Sequence, residues 1–249
     1  MKRLFLKRKM RFKLLLFSAP LFLFFLYAGS ASGTSLTLYD NLNSFLNDAG
    51  HFNLITFDDL ADETVLGNQY QYQGVTFVPS EGTTISVDNP GQDIGTSGVV
   101  STPNVLSTKT AGYPDTLEYG IFSVLFTPST RLFGAYFIDV DQWENTTRFT
   151  VYDKNSEIIP ITYLKDNNTE TFDTFYIPKG YNNEAQFFGV IGDGGISRVD
   201  ITLGDPNDEG ATLDNLYHNF APVPEPSCIL LLSSGLIGIA GLRRKFKKS

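Results

Sequence analysis

The residues best placed for chemistry are acidic. In the stretch "DPNDEG", Asp205, Asn207 and Glu209 stand at alternate positions before Gly210, the opening half of a calcium-loop pattern. The twelfth position from Asp205 is Leu216, so the bidentate glutamate that closes an EF-hand is missing, and only a looser calcium turn fits. A second set pairs Asp58 and Asp59 near the start of the folded region with Asp214 and Asn215 near its end. First and last strands of a sandwich often lie side by side, so these groups are placed to meet across a ladder. Carboxylates pressed together demand protonation or a cation, and a structural Ca2+ is the expected one outside the cell. Asp58 and Asp214 could instead accept hydrogen bonds from backbone N–H groups and cap turns.

Sugar recognition needs aromatic faces for C–H surfaces and polar groups for hydroxyls. Trp143 in "DVDQWENTTR", Tyr70 and Tyr72 in "GNQYQYQG", and Tyr113 in "AGYPD" lie in polar stretches and are the glycan-binding candidates. Their alternative role is packing over the rim of the fold. Catalysis has little support. The two histidines, His51 and His218, accompany no nucleophile elbow, HExxH pattern or Cys/His metal cluster, so the chain reads as a non-enzyme. "GDGG" (Gly192–Gly195) lacks the Lys and helix of a phosphate cradle and reads as a hairpin turn.

The elements that must hold these groups are strands. "IFSVLFTPSTRLFGAYFIDV" alternates with period two on either side of an expected turn at Pro128-Ser129-Thr130. Similar runs occur at "GVTFV", "TTISV", "RFTVYD", "EIIPITY", "TFYI", "AQFFGVIG", "SRVDITLG" and "ATLDNLYHNF", separated by Gly, Asn, Asp and Pro. Ten to twelve short strands without crossover helices predict an all-β antiparallel β-sandwich, jelly-roll-like, over 33–220. "DNLNSFLNDAG" predicts one short N-terminal helix with Leu42, Phe45, Leu46 and Ala49 on one stripe. Asp40 is its expected N-cap, Gly50 its terminator, and a plug at one end of the sandwich its expected place.

Charge and cysteine use narrow the setting. Seven Lys or Arg precede Leu14, five follow Leu242 and all 27 acids lie between, which leaves the middle at about −20. Nucleic acid is excluded as a partner by such a field, and neutral or cation-bridged glycans suit it better. The single Cys, Cys228, lies outside the sandwich region, so that region holds no internal disulfide and depends on its core.

The ends read as targeting segments. A basic start, an apolar run from Leu14 to Tyr27 and small residues from Ala28 to Gly33 predict a signal peptide over 1–32. At the other end, 221–249 holds Pro224, Glu225 and Pro226, an uncharged helix over 228–242, and a basic tail over 243–248 that opens with Arg243, Arg244 and Lys245. As a helix the apolar part reaches only about 22 Å, against a hydrocarbon core of about 30 Å, which suits a transient transmembrane sorting helix better than a permanent anchor.

In order and spacing, "VPEPS", the apolar run and "RRKFKK" resemble the PEP-CTERM sorting domain. The resemblance implies processing by an exosortase, with Pro224, Glu225 and Pro226 as the recognition element. It also implies transient tethering to the membrane and a final place at the cell surface, outer membrane or extracellular matrix, beside extracellular polysaccharide. The segments "ITFDDL", "YQGVTF" and "LDNLYH" resemble the sandwich domain common in that family, similar in layout to jelly-roll, galactose-binding-like modules. The expectation is a non-catalytic glycan-binding or biofilm component. Its rivals are a passive coat protein and a polysaccharide-modifying hydrolase or lyase.

Overall fold

A computed structural model of the chain describes residues 35–89, 100–110, 119–140, 146–165, 168–178, 180, 184–204 and 211–219. All belong to the unit Gly33–Ser249. The expected signal peptide and the whole of 221–249 lie outside the described residues. No helix among the described residues is long and apolar enough to cross a membrane.

In chain order the elements are β1 (Leu36–Tyr39), α1 (Leu42–Ala49), β2 (Asn53–Ile55), β3 (Val75–Pro79), β4 (Thr83–Asp88) and β5 (Val105–Thr110), then β6 (Gly120–Ile138), β7 (Arg148–Tyr152), β8 (Ile161–Lys165), β9 (Asn168–Phe172), β10 (Thr174–Tyr176), β11 (Ala185–Leu203) and β12 (Thr212–His218). All pairings are antiparallel except β1 with β8.

Two strands of 19 residues, β6 and β11, organise the rest. Their first contact, between the start of β6 and the end of β11, sits in a layer ordered β3-β6-β11-β7-β10. The end of β6 and the start of β11 sit in a second layer ordered β4-β5-β12-β6-β11-β1-β8-β9. Between these halves the register shifts twice, around Ile196, which faces Thr130. Bulges of this kind bend a strand pair without ending it. The expected turns at Pro128-Ser129-Thr130 and at Gly192–Gly195 are therefore corrected: both stretches run on as strand, and they are the two sides of one bend.

The alternation seen in the sequence is the alternation of the layers. Phe133 and Phe137 of β6 and Phe188 of β11 point between the layers, where they meet Phe149 of β7 and Phe175 of β10. Phe137 stacks on Phe149 at 6.2 Å with an interplanar angle of 12°, and Phe175 lies 5.3 Å from Phe188. This aromatic core supplies the hydrophobic stabilisation that a chain without disulfides needs.

Helix α1 covers the opposite face of the second layer and does not plug an end. Phe45 and Ala49 are buried with Leu132, Phe187, Ile191 and Tyr217, the residues that alternate with the core set. The Phe45 ring lies over Gly134 and Gly189, direct partners across β6 and β11. Only glycine lets a ring approach the strands so closely. The cap also differs from expectation, because Asn41 accepts the Ser44 N–H at 3.1 Å and Asp40 stays outside the helix. "ITFDDL" forms strand only to Ile55, and Phe57, at φ +66°, turns the chain away.

Two outcomes follow for stability. A Cβ at position 189 would fall 2.7 Å from Phe45 Cδ2 and Cε2. Gly189→Ala is therefore expected to cost about 1–3 kcal/mol in urea unfolding, and less in a Phe45→Leu background. The second concerns His218, buried in the core 6.1 Å from the Phe126 ring, where burial lowers its pKa to about 4 from the usual 6.5. The unfolded chain takes up this proton first as pH falls, so stability should drop by about 3 kcal/mol between roughly pH 6.5 and pH 4. Urea titrations across that window should show the slope, and His218→Gln should flatten it.

Candidate functional site

Two of the acidic residues singled out in the sequence, Asp58 and Asp214, come together around one short segment, 100–104. Asp214 on β12 is fully buried and accepts four hydrogen bonds. Val100 N (3.2 Å) and Ser101 N (2.8 Å) donate to Oδ2, while Ser101 Oγ (2.9 Å) and Asn215 N (2.7 Å) donate to Oδ1. Burial pushes the Asp214 carboxyl above the usual carboxylate range, and the hydrogen bonds pull it back. Asp58 accepts the Asn104 N–H at 3.0 Å, and the Asn104 side chain donates to the Leu60 carbonyl at 2.8 Å. Asp59 accepts the Tyr70 hydroxyl at 2.5 Å.

These carboxylates thus act as hydrogen-bond acceptors that fasten segments far apart in sequence, the turn-capping role that the sequence also allowed. Asn215, in the left-handed region at φ +52°, keeps its Oδ1 buried without a partner. Among the described residues no group of three or more His, Cys, Asp and Glu side chains could hold a metal ion. Asp205, Asn207 and Glu209 lie outside the described residues.

The aromatic candidates separate. Tyr70 is 1% exposed and packs edge-on to Phe57 and Phe77, which is the packing role and not that of an exposed sugar platform. Its hydroxyl is held by Asp59, and burial raises its pKa. Tyr72 is 76% exposed, and its hydroxyl accepts from the Gln73 amide at 2.8 Å. Trp143 and Tyr113 lie outside the described residues, as do Pro224, Glu225, Pro226, Arg243, Arg244 and Lys245.

A site the sequence did not reveal lies where β1 stops. β1 ends at Tyr39, opposite Gly189, while β11 continues through residues 185–188 and β8 and β9 extend on the other side. The gap is a cavity of about 640 Å3. Buried Phe175, Phe187 and Phe188 line it below, and Phe172 and Tyr163 stand partly exposed in its wall. Its polar groups are Asp40, Glu170 and Gln186. Tyr163 donates its hydroxyl to Asp40 Oδ2 at 2.6 Å, which fixes the ring, and Glu170 is its direct neighbour across β8 and β9. Gln186 is steadied by a 3.3 Å bond to the Pro178 carbonyl.

Asp40 is free for this role because Asn41 caps the helix. The notch joins residues more than 120 positions apart, so nothing in the local pattern of any one segment announces it. A second cavity of about 510 Å3, beside Tyr39, Asp48, Arg131 and Asp193, is polar, and three of its groups are joined by hydrogen bonds. There Tyr39 donates to Asp48 at 2.8 Å and Arg131 Nη2 donates to the Asp48 carbonyl at 3.0 Å.

Comparison with known proteins adds a motif at the end of the chain. A family model described as the PEP-CTERM protein-sorting motif matches residues 222–245, so the chain carries that motif. No curated protein matches the chain. Among solved structures, the K2 cleaved adhesin domain of Lys-gingipain is similar at 11% identity and a TM-score of 0.43, covering 68% of this chain and 97% of that one. The enzymatically active domain of bacteriophage CBA120 tailspike protein 4 is similar at 13% identity and a TM-score of 0.33, covering 61% of this chain but only 20% of that one. A family 11 carbohydrate-binding module from Clostridium thermocellum, in complex with a β-1,3-1,4-mixed-linked tetrasaccharide, is similar at 11% identity and a TM-score of 0.28, covering 66% and 98%.

The Asp214 cluster makes a measurable claim. Asp214→Asn would aim an amide N–H at N–H donors it cannot satisfy, so urea unfolding should show a loss of about 2–4 kcal/mol.

Proposed function

We propose that this chain is an exported, non-catalytic glycan-binding component of the cell surface or extracellular matrix, and that the notch beside β1 is its sugar site. The sorting motif marks the chain for export and processing at a membrane. The reading adds an exosortase as the processing partner and extracellular polysaccharide as the ligand. The observation that carries it is the chemistry of the notch. A ring held by the Tyr163–Asp40 hydrogen bond stands among aromatic walls, with carboxylate and amide groups within the same concavity. A sugar ring places C–H groups against the aromatic surface and donates its hydroxyls to Asp40 and Glu170. Sites of this size with a few placed polar groups are the usual form of small-ligand recognition.

The two carboxylates also set the class of glycan. A uronate or sulfated sugar would be repelled by Asp40 and Glu170, and a neutral sugar would not. The strong negative charge of the exported region points the same way.

Co-sedimentation with the producing organism's extracellular polysaccharide, and with a neutral glucan, tests the proposal. Saturable pelleting is expected. Glu170→Ala and Tyr163→Ala should each weaken it about tenfold, the 1–2 kcal/mol scale of one aromatic or charged contact. Because Tyr163 also packs near Phe175, its variant is read beside its melting temperature, whereas Glu170 is exposed. No pelleting of the unaltered protein would leave the passive coat reading standing, and affinities unchanged in both variants would overturn the notch as the sugar site.

A further inference from the structure

The last described residue is firmly held beside an apolar patch. Asn219, just past β12, is tied down on both sides. Its backbone N–H donates to Thr130 Oγ1 at 2.9 Å, and its Oδ1 accepts from Thr130 Oγ1 at 3.1 Å and Arg131 N at 3.2 Å. Its side-chain amide donates to the His51 carbonyl at 3.1 Å. The sorting motif begins at residue 222. From Asn219 to Cys228, where the apolar run starts, a fully extended chain reaches at most about 30 Å. Whatever holds the apolar run therefore holds this corner of the domain close by.

At this corner Phe52 and Leu54 are 39% and 40% exposed. Phe52 immediately precedes β2 and Leu54 lies within it, and both lie against Tyr217. Leu54 lies directly opposite Tyr217, and the Phe52 ring centroid is 5.5 Å from the Tyr217 ring. Among the described residues the other exposed large apolar side chains, including Val65, Tyr72, Ile158, Leu164 and Tyr176, each stand alone on their segment.

We propose that Phe52 and Leu54 form a lipid-contacting face that seats the domain on the bilayer while the uncut tail holds it there. The proposal rests on the reading of the tail as a transient membrane tether. Two half-exposed apolar side chains bind a bilayer weakly by themselves. A tether of a few residues converts that contact into an intramolecular one, at an effective concentration in the millimolar range for short linkers, where weak contacts count. Once the chain is cut beyond Asn219 the advantage disappears and the domain leaves the surface. The acidity of the domain selects a zwitterionic surface over an anionic one.

The test uses the full chain with its only cysteine removed, Cys228→Ser, and a new cysteine introduced by Phe52→Cys or, as a control on β10, by Tyr176→Cys. Each is labelled with an environment-sensitive fluorophore and mixed with phosphatidylcholine vesicles that contain a brominated lipid quencher. The expected result is flotation of both proteins, with blue-shifted, strongly quenched emission at position 52 and water-like, unquenched emission at position 176. Flotation with no quenching at position 52 overturns the lipid-contacting face and leaves the tether intact. Failure to float overturns both. Equal quenching at both positions overturns the assignment of this face.

Discussion

The fold depends on β6 and β11 remaining partners while they pass from one layer into the other. A sandwich made of separate hairpins needs each layer to find its own register. Here a single long pairing sets both, since the strands that flank it at one end (β3, β7) and at the other (β12, β1) dock on a ladder already in place. The bend at Thr130 and Ile196 brings the Phe133 and Phe137 side of one half against the Phe149 and Phe175 side of the other. The outer face is equally constrained. Gly134 and Gly189 can form a floor for Phe45 only because the register sets them opposite each other.

This dependence explains what the sequence revealed and what it hid. Period-two alternation is a property of each strand and could be read directly, as could the apolar stripe of α1. Pro128 and the Gly192–Gly195 run are ordinary turn signals, and turn chemistry alone gives no means of telling a strand's end from its bend. The difference lies in the partner strand, some 65 residues away, which continues pairing past the irregularity. The cap of α1 slipped by one residue for a similar reason, since Asp40 and Asn41 are both competent caps and the Tyr163 hydroxyl decides between them.

The acidic residues show the same division. Their types and their placement near the two ends of the folded region were legible, and the structure does gather Asp58 and Asp214 about one segment. What could not be read was the source of compensation. A buried carboxylate needs neighbours that favour it, and Asp214 has backbone and hydroxyl donors from Val100, Ser101 and Asn215. In a folded region without cysteine, such clasps join segments 46 and 113 positions apart and do part of the work of covalent cross-links. Tyr70 belongs to this arrangement too, as a core ring whose polar end is satisfied by Asp59. The notch was hidden for the plainest reason, because a gap is defined by where a neighbouring strand stops.

The position of β12 carries a consequence for the order of events. The last strand among the described residues lies in the interior of its layer, between β5 and β6, and also pairs with β2. Among the described residues, β4 and β5 join the remaining strands of the ladder through it alone. A chain that crosses a membrane from its N-terminus delivers this strand after all the others. Until residue 218 has emerged, the layer lacks its middle and the buried side chains of β12 have not arrived. Only then can the sheet close. In any delivery of the chain from its N-terminus, closure of this layer therefore waits for β12, so topology sets the earliest moment at which the sandwich can be complete.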